Sequence, residues 1–346
     1  AIPLSAGLDS RAIIAEFSRR GLQDKVMAIT FAHPKSYELK IAKKITKALN
    51  INHKIIHWAQ DDVIKYNDFS ADVVNNDGMI FATPYIPNNL YRKLNTKTDN
   101  IWSGFSGDPL MGSHTLRNYN VNNYSSLTDV CFNKYKSINK YEMQILNLDF
   151  DIDELKNEIK DSTQYFDQLD LINAFDSWYM QNRNRYTTQC GISGNRDLFE
   201  YIYPFLFMIN YSYSSRLEGR YNRLDYIKNV TSLYENVFKI PSSHQWPVYY
   251  TTIAKLGSFT NKVISNYSLY NDRFPPRSYK FNYDYFVVGS KKFRNIILDH
   301  IGSLDDEKLI KSMDMFEKYI KDGKLSYAFI DNILSYQLIK STYINN

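Results

Sequence analysis

Asp9 and Asp108 are the two residues around which this sequence can build chemistry. Asp9 sits in Leu4-Ser5-Ala6-Gly7-Leu8-Asp9-Ser10, between an apolar stub and the helix-like run Arg11-Ala12-Ile13-Ile14-Ala15-Glu16-Phe17. Gly7 permits close approach to the backbone, Ser5 and Ser10 supply hydroxyls, and a helix starting here would aim its first N–H groups at an anion. A bare carboxylate beside phosphate oxygens is repulsive unless a divalent cation lies between them, so the expected occupant is a nucleotide phosphate with Mg²⁺. The plainer alternative is a strand-to-helix turn in which Gly, Asp and Ser serve only turn and capping chemistry. Asp108 lies in Ser103-Gly104-Phe105-Ser106-Gly107-Asp108-Pro109-Leu110-Met111-Gly112-Ser113-His114. Alone, Asp108 before Pro109 reads as a helix N-cap followed by proline at the first helical position. Taken with Asp9 it becomes a second carboxylate at a second strand end, and the pair could hold Mg²⁺ against the β- and γ-phosphates. Neither a Gly-Lys-Ser/Thr ending nor a Gly-x-Gly-x-x-Gly run occurs, so the two other common phosphate loops are excluded.

The elements that would position these residues alternate. Lys25-Val26-Met27-Ala28-Ile29-Thr30-Phe31 reads as a buried parallel strand, and Tyr37 to Leu49 has helical spacing at Leu39, Ala42, Ile45 and Leu49. His53 to Trp58 supplies another strand, residues about 60–95 are helical or irregular, and Asn100 to Gly104 a further strand. Strands alternating with helices predict an α/β fold with a doubly wound parallel sheet, which holds ligands outside the carboxyl ends of its strands. The first loop and residues 103–108 would then share one crevice. From about Val121 onward apolar residues fall at helical spacings, through Met143–Ile159, Leu169–Met180, Arg223–Phe238 and Lys308–Ile339. The expected organisation is an α/β core over 1–120 and a mainly helical region over 121–346.

With 346 residues, 44% hydrophobic and 23% charged, the chain can bury a large core. An excess of 42 Lys+Arg over 37 Asp+Glu gives only +5. That suits an anionic substrate without calling for nucleic acid. Cys131 and Cys190 lack metal-finger or redox spacing and read as reduced thiols of a cytoplasmic protein. The longest apolar run, Tyr201 to Ile209, is too short for a membrane span, contains Pro204, and is expected as a buried helix or strand. Only Ala1-Ile2-Pro3-Leu4 precede the first loop, which reads as a sequence cut at its start.

The first loop resembles the Ser-Gly-Gly-Leu-Asp-Ser loop of PP-loop ATP pyrophosphatases, and with the 103–114 segment it looks most like the synthetase domain of the asparagine synthetase family. That resemblance implies the PP-loop fold and ATP-dependent amide formation through an acyl-adenylate, with AMP and pyrophosphate released and Mg²⁺ required. It also implies an upstream glutamine-hydrolysing domain, which this sequence does not contain and which would be fused or separate. Carried over residue by residue, it makes Asp9 and Asp108 the metal-binding and catalytic carboxylates. Ser5, Gly7 and Ser10 become phosphate-loop residues, and Leu4, Thr30, Phe31, His33, Ser103 and Gly104 become adenosine and ribose contacts made largely through the backbone. Lys239, in Phe238-Lys239-Ile240-Pro241, corresponds to a lysine that stabilises charge on the intermediate, with Arg183, Arg185 and Arg196 in reserve for an acidic substrate.

Several positions depart from the family pattern. Ala6 stands for the first glycine, Pro109 for a glutamate, and Ser113-His114 for Gly-Tyr; Tyr203-Pro204-Phe205-Leu206-Phe207 resembles Arg-x-Pro-Phe-Leu-Asp without its aspartate. Phe105 replaces the glutamate thought to manage the proton of incoming ammonia, and β-lactam-forming relatives carry Tyr there. Phenylalanine cannot accept a proton, so an acceptor amine other than ammonia is expected, as in a peptide macrolactam or lactam synthetase. RNA base modification is disfavoured by the missing cysteine pairs. A nucleotide-binding regulatory subunit without catalysis is a further alternative, opposed by the retention of both aspartates.

Overall fold

The computed structural model describes residues 1–32, 34, 36–57, 98, 100–116, 125–135, 138–146, 152–188, 198–210, 217–242, 291–302 and 310–339. Its contacts fall into two compact units. One comprises Ala1–Lys65, Asn89–Thr115 and Arg196–Phe281; the other comprises Tyr66–Asn88, Leu116–Asn195 and Asn282–Asn346. The chain thus passes between units several times, whereas the sequence reading has a single division near residue 120. The described residues form a mixed α/β structure with parallel strands.

In the first unit, β1 (Ile2–Pro3), β2 (Met27–Ala32) and β3 (Asn52–His57) make a parallel sheet in the order β1-β2-β3. The central position of β2 explains its composition: Ala28 through Ala32 are all buried, as expected of a strand covered on both faces. α1 (Asp9–Arg19) and α2 (Tyr37–Leu49) are the crossovers. The predicted stripe of α2 is found inside, with Leu39, Ala42 and Ile45 buried together with Ile41. Ser36 caps this helix by accepting from the Leu39 N–H at 3.2 Å, and Asn50 ends it in the left-handed region at φ 51°. β4 (Asn100–Trp102) pairs in parallel with β5 (Glu200–Ile202), and the Trp102 N–H also donates to the Ala1 carbonyl at 2.8 Å, next to β1. Residues 58–97, which include the stretch read as helical or irregular, lie outside the described residues.

The Tyr201–Ile209 run does not become one buried element. Pro204 ends β5 and starts a 3₁₀ turn over Pro204–Met208, in which Phe205 is buried but Phe207 is 84% exposed.

The second unit is helical. Here α4 (Leu127–Tyr135), α6 (Ile152–Thr163) and α7 (Leu171–Trp178) surround Val130, Cys131, Phe175 and Trp178, and α5 is Lys140–Ile145, whereas the one-turn helix α3 (Gly107–Leu110) belongs to the first unit. A π-helix, Tyr179–Thr188, continues α7. The expected helix over 143–159 is broken: Leu146 is extended and bridges Ile310, while the Lys311 N–H donates to the Ile145 carbonyl at 2.8 Å. Cys131 is a buried thiol whose pKa burial pushes up to about 12, and Cys190 lies outside the described residues. Among the described residues no helix is long and apolar enough to cross a membrane.

Candidate active site

The first loop leaves β1 and enters α1 without strain. Leu4 is fixed by its N–H to the Ile29 carbonyl at 2.7 Å and by its own carbonyl, which accepts from the Thr30 hydroxyl at 2.8 Å. Left-handed backbone among the described residues occurs elsewhere and not at Ala6 or Gly7, so alanine is tolerated at the first glycine position of the family loop. The loop folds on its own hydroxyls: the Gly7 N–H donates to Ser5 Oγ at 3.1 Å and the Ser5 N–H to Ser10 Oγ at 3.3 Å. Leu8 at the N-cap position makes no side-chain cap to α1. The first amides of this eleven-residue helix therefore face the loop uncapped by a side chain, as an anion site requires.

Arg11, fully buried, anchors the loop from behind. Its guanidinium donates to the carbonyls of Ala6 at 3.1 Å, Ile240 at 2.6 Å and Pro241 at 3.1 Å. Five donors in a rigid fork suit it to gather carbonyls from segments far apart in sequence.

The second loop meets the first at Asp9. A Cβ added at Gly104 would stand 2.7 Å from Ser10 N, and one at Gly107 would stand 2.6 Å from Asp9 Cγ. Both glycines are needed for this approach. Asp108 does not cap a helix as expected. The N-cap of α3 is Ser106, held left-handed at φ 62°, and Asp108 lies inside the turn with its carboxylate directed at Arg223. The proline after it fixes φ where the turn needs it, and the carboxylate pairs with Arg223 instead of capping the helix.

Arg223 is the residue that the sequence did not disclose. One guanidinium nitrogen donates to Asp9 Oδ1 and the other to Asp108 Oδ1, so a single cation bridges the two carboxylates. The environments of the pair differ: the Asp9 side chain is 14% exposed and that of Asp108 61%. Burial raises the Asp9 pKa to about 6, Arg223 opposes this, and the neighbouring charge of Asp108 adds to it. A carboxyl raised in this way, when ionised, costs stability above about pH 6, and the cost disappears as pH falls below the ordinary carboxylate range. The Tyr226 hydroxyl donates toward Asp9 and toward the Leu8 carbonyl at 3.4 Å, and the Arg223 guanidinium lies 4.6 Å from the Tyr226 ring. The donor chemistry fits a divalent cation. Two carboxylate oxygens converge on one cationic group, and hard oxygen ligands of this kind suit Mg²⁺, which keeps waters and phosphate oxygens for the rest of its shell.

Thr30 and Phe31 are buried in β2, where Thr30 accepts from His53 Nε2 at 2.8 Å besides donating to Leu4. Ser103 is buried at the end of β4, with its N–H on the Ile202 carbonyl at 2.9 Å. His33 lies outside the described residues, as does Arg196. Lys239 is placed at the surface, 55% exposed and 2.5 Å from Glu235. Arg183 and Arg185 belong to the π-helix of the other unit, where Arg183 lies 5.7 Å from the Tyr135 ring. Phe105 is half-buried and packs edge-on against Tyr203 at 6.3 Å, and Tyr203 stacks on Tyr201 at 6.1 Å.

The family model for asparagine synthase matches residues 1–184, just over half of the 346. The chain belongs to the asparagine synthase family. At family level this assigns it ATP-dependent amidation, the chemistry of a carbon–nitrogen ligase. No curated protein matches the chain.

Proposed function

We propose that the chain joins a carboxylic acid to an amine through an acyl-adenylate, on a doubly wound sheet of the PP-loop type. The observation that carries this reading is the convergence of Asp9 and Asp108, from two loops that each leave a parallel strand, beside the uncapped start of α1. The substrate carboxylate attacks the α-phosphorus of ATP, the bond to the bridging oxygen breaks, and pyrophosphate leaves. The amine then attacks the acyl carbon and AMP leaves. Asp9 and Asp108 would hold Mg²⁺, which when bound supplies charge neutralisation for the departing pyrophosphate. Ser5, Gly7 and Ser10 line the phosphate loop. Leu4, Thr30, Phe31, Ser103 and Gly104 shape the nucleoside end mainly through the backbone, and His33 belongs to the same set. Lys239 is the proposed cation for the intermediate and would have to leave Glu235 to reach it.

Phe105 directs the choice of amine. With an aromatic edge against Tyr203 where a proton acceptor would stand, free ammonia has no base at that point. The acceptor is therefore proposed to be an amine carried by a larger substrate, as in lactam or macrolactam closure, and the setting is proposed to be cytoplasmic. A glutaminase partner, if fused or recruited, would return ammonia to the reaction. One observation favours the catalytically silent alternative: a single guanidinium, that of Arg223, donates to both carboxylates.

The deciding experiment is pyrophosphate release from Mg–ATP, with mass-spectrometric detection of acyl-adenylate in the presence of pooled carboxylic acids. Release that depends on both acid and Mg²⁺ supports ligase chemistry. ATP binding without any release assigns the silent role. Brisk asparagine formation from aspartate and ammonium would falsify the reading of Phe105.

A further inference from the structure

Arg223 and Arg11 are both buried, and they are held in opposite ways. Arg11 donates to neutral backbone carbonyls, which a metal ion has no reason to claim. Arg223 donates to the two carboxylates proposed as cation ligands. Its backbone is also unusual. Asn222 and Arg223 are consecutive left-handed residues at φ 53° and 63°, just before the helix Leu224–Leu233, and neither is glycine. Strain of this kind persists where surrounding structure holds a side chain for a purpose.

We propose that Arg223 is an internal counter-ion that occupies the cation position of Asp9 and Asp108 in the nucleotide-free protein and thereby couples divalent-cation entry to nucleotide binding. This rests on the reading of those aspartates as cation ligands. Two carboxylates and one guanidinium sum to −1. Adding a divalent cation while the guanidinium stays would place like charges together in a largely buried place, so the guanidinium must give way. A displaced buried arginine without an anion is costly. The triphosphate supplies that anion, and the planar fork of arginine matches phosphate oxygens in pairs. Metal alone therefore enters against Arg223, whereas metal with nucleotide enters with its cooperation, and the coupling is reciprocal.

The test is Mn²⁺ binding to the nucleotide-free chain, followed by the paramagnetic resonance signal of free Mn²⁺, for the unmodified protein, Arg223→Gln and Arg223→Lys. Removal of the counter-ion should tighten Mn²⁺ binding by on the order of tenfold in Arg223→Gln. Arg223→Lys keeps the charge but cannot bridge two carboxylates, and should fall between the other two. An unchanged or weaker Mn²⁺ affinity in Arg223→Gln overturns the proposal. So does an Arg223→Lys protein that binds Mn²⁺ no more tightly than the unmodified chain, since long-range charge alone would then be the cause. Circular dichroism checks folding, and the lysine variant decides if the glutamine variant does not fold. Pyrophosphate release by the unmodified chain is scored separately. Its absence alongside tightened Mn²⁺ binding removes the ligase reading and leaves the counter-ion, and its presence alongside unchanged binding does the reverse.

Discussion

Each unit buries a carboxylate, and the two are satisfied by different means. In the helical unit, Glu142 is fully buried and accepts from the backbone N–H of Asn139 at 2.7 Å and of Ser326 at 2.8 Å. Asn139 returns the favour by accepting from the Glu142 N–H at 3.1 Å, a capping box that also ties residues 324–326 to α5 through Asn139 Nδ2 and the Lys324 carbonyl at 3.0 Å. In the α/β unit, Asp9 is held by a side chain, Arg223, together with Tyr226. Backbone amides cannot leave without local unfolding, but a guanidinium can move on its own side-chain torsions. A carboxylate locked by backbone belongs to the fold, and one held by an exchangeable cation is available to chemistry.

Asp9→Asn should expose this difference most strongly. We expect pyrophosphate release to fall about 10³-fold, roughly 4 kcal/mol of barrier, because under the proposed function the cation would lose a ligand. The folded state should change by no more than about 1 kcal/mol, since the substitution also removes the cost of burying a charge that burial already pushes toward protonation. Thermal denaturation beside the activity assay checks both. A stability loss larger than the activity loss would make Asp9 a structural residue.

Glu142→Ala should do the reverse. It leaves two backbone N–H groups without their acceptor in a buried place and removes half of a capping box, for a loss of about 3 kcal/mol. Urea denaturation reads that value directly. ATP binding, measured below the unfolding range, should be unaltered.

What the sequence discloses follows the same divide. β2 and α2 are legible because a buried parallel strand is continuously apolar and a surface helix repeats near 3.6 residues, both local properties. Asp9 and Asp108 are legible because each sits in a short motif. Arg223 is not, because 214 residues separate it from Asp9 and its placement depends on two left-handed residues that no motif announces. The break after Ile145 escaped for a related reason: Leu146 leaves the helix to bridge Ile310, a tertiary contact that overrides helical spacing. Phe207 shows the limit of apolar composition, since Pro204 turns the chain and leaves that ring in solvent.

A half-buried base widens the comparison. His53 joins Thr30 and Thr46, at 2.8 Å and 3.2 Å, and burial followed by the charge of Lys43 lowers its pKa to about 4. A histidine depressed in this way favours the folded state fully above its ordinary value of 6.5, and the contribution is lost as pH falls from there through about 4. After discounting for partial exposure this is roughly 2 kcal/mol. Stability measured at pH 7 and pH 4.5 should differ less in His53→Asn than in the unmodified chain. Equal pH dependence in the two would show that protonation of this ring is not resisted by the fold.

The smallest effect belongs to a third carboxylate, Glu16, which has more charged partners than Asp9 or Glu142. Arg19 Nε donates to it at 2.6 Å, Arg20 Nε at 2.6 Å, and the Tyr234 hydroxyl at 2.7 Å. Hydrogen bonding from Arg19 leads in lowering its pKa to about 2, against a smaller opposing effect of burial. A depressed carboxylate stabilises the fold above its ordinary pKa, and that contribution fades as pH falls through about 2. Yet the arginine side chains are 54% and 64% exposed, so water and salt screen most of the attraction. Glu16→Gln should therefore cost under about 1 kcal/mol at pH 7, and added salt should shrink that difference further. A measured loss above about 2 kcal/mol that resisted salt would break the ordering drawn above. It would mean that the number of charged partners, rather than burial and the kind of donor, decides how much a carboxylate in this protein contributes.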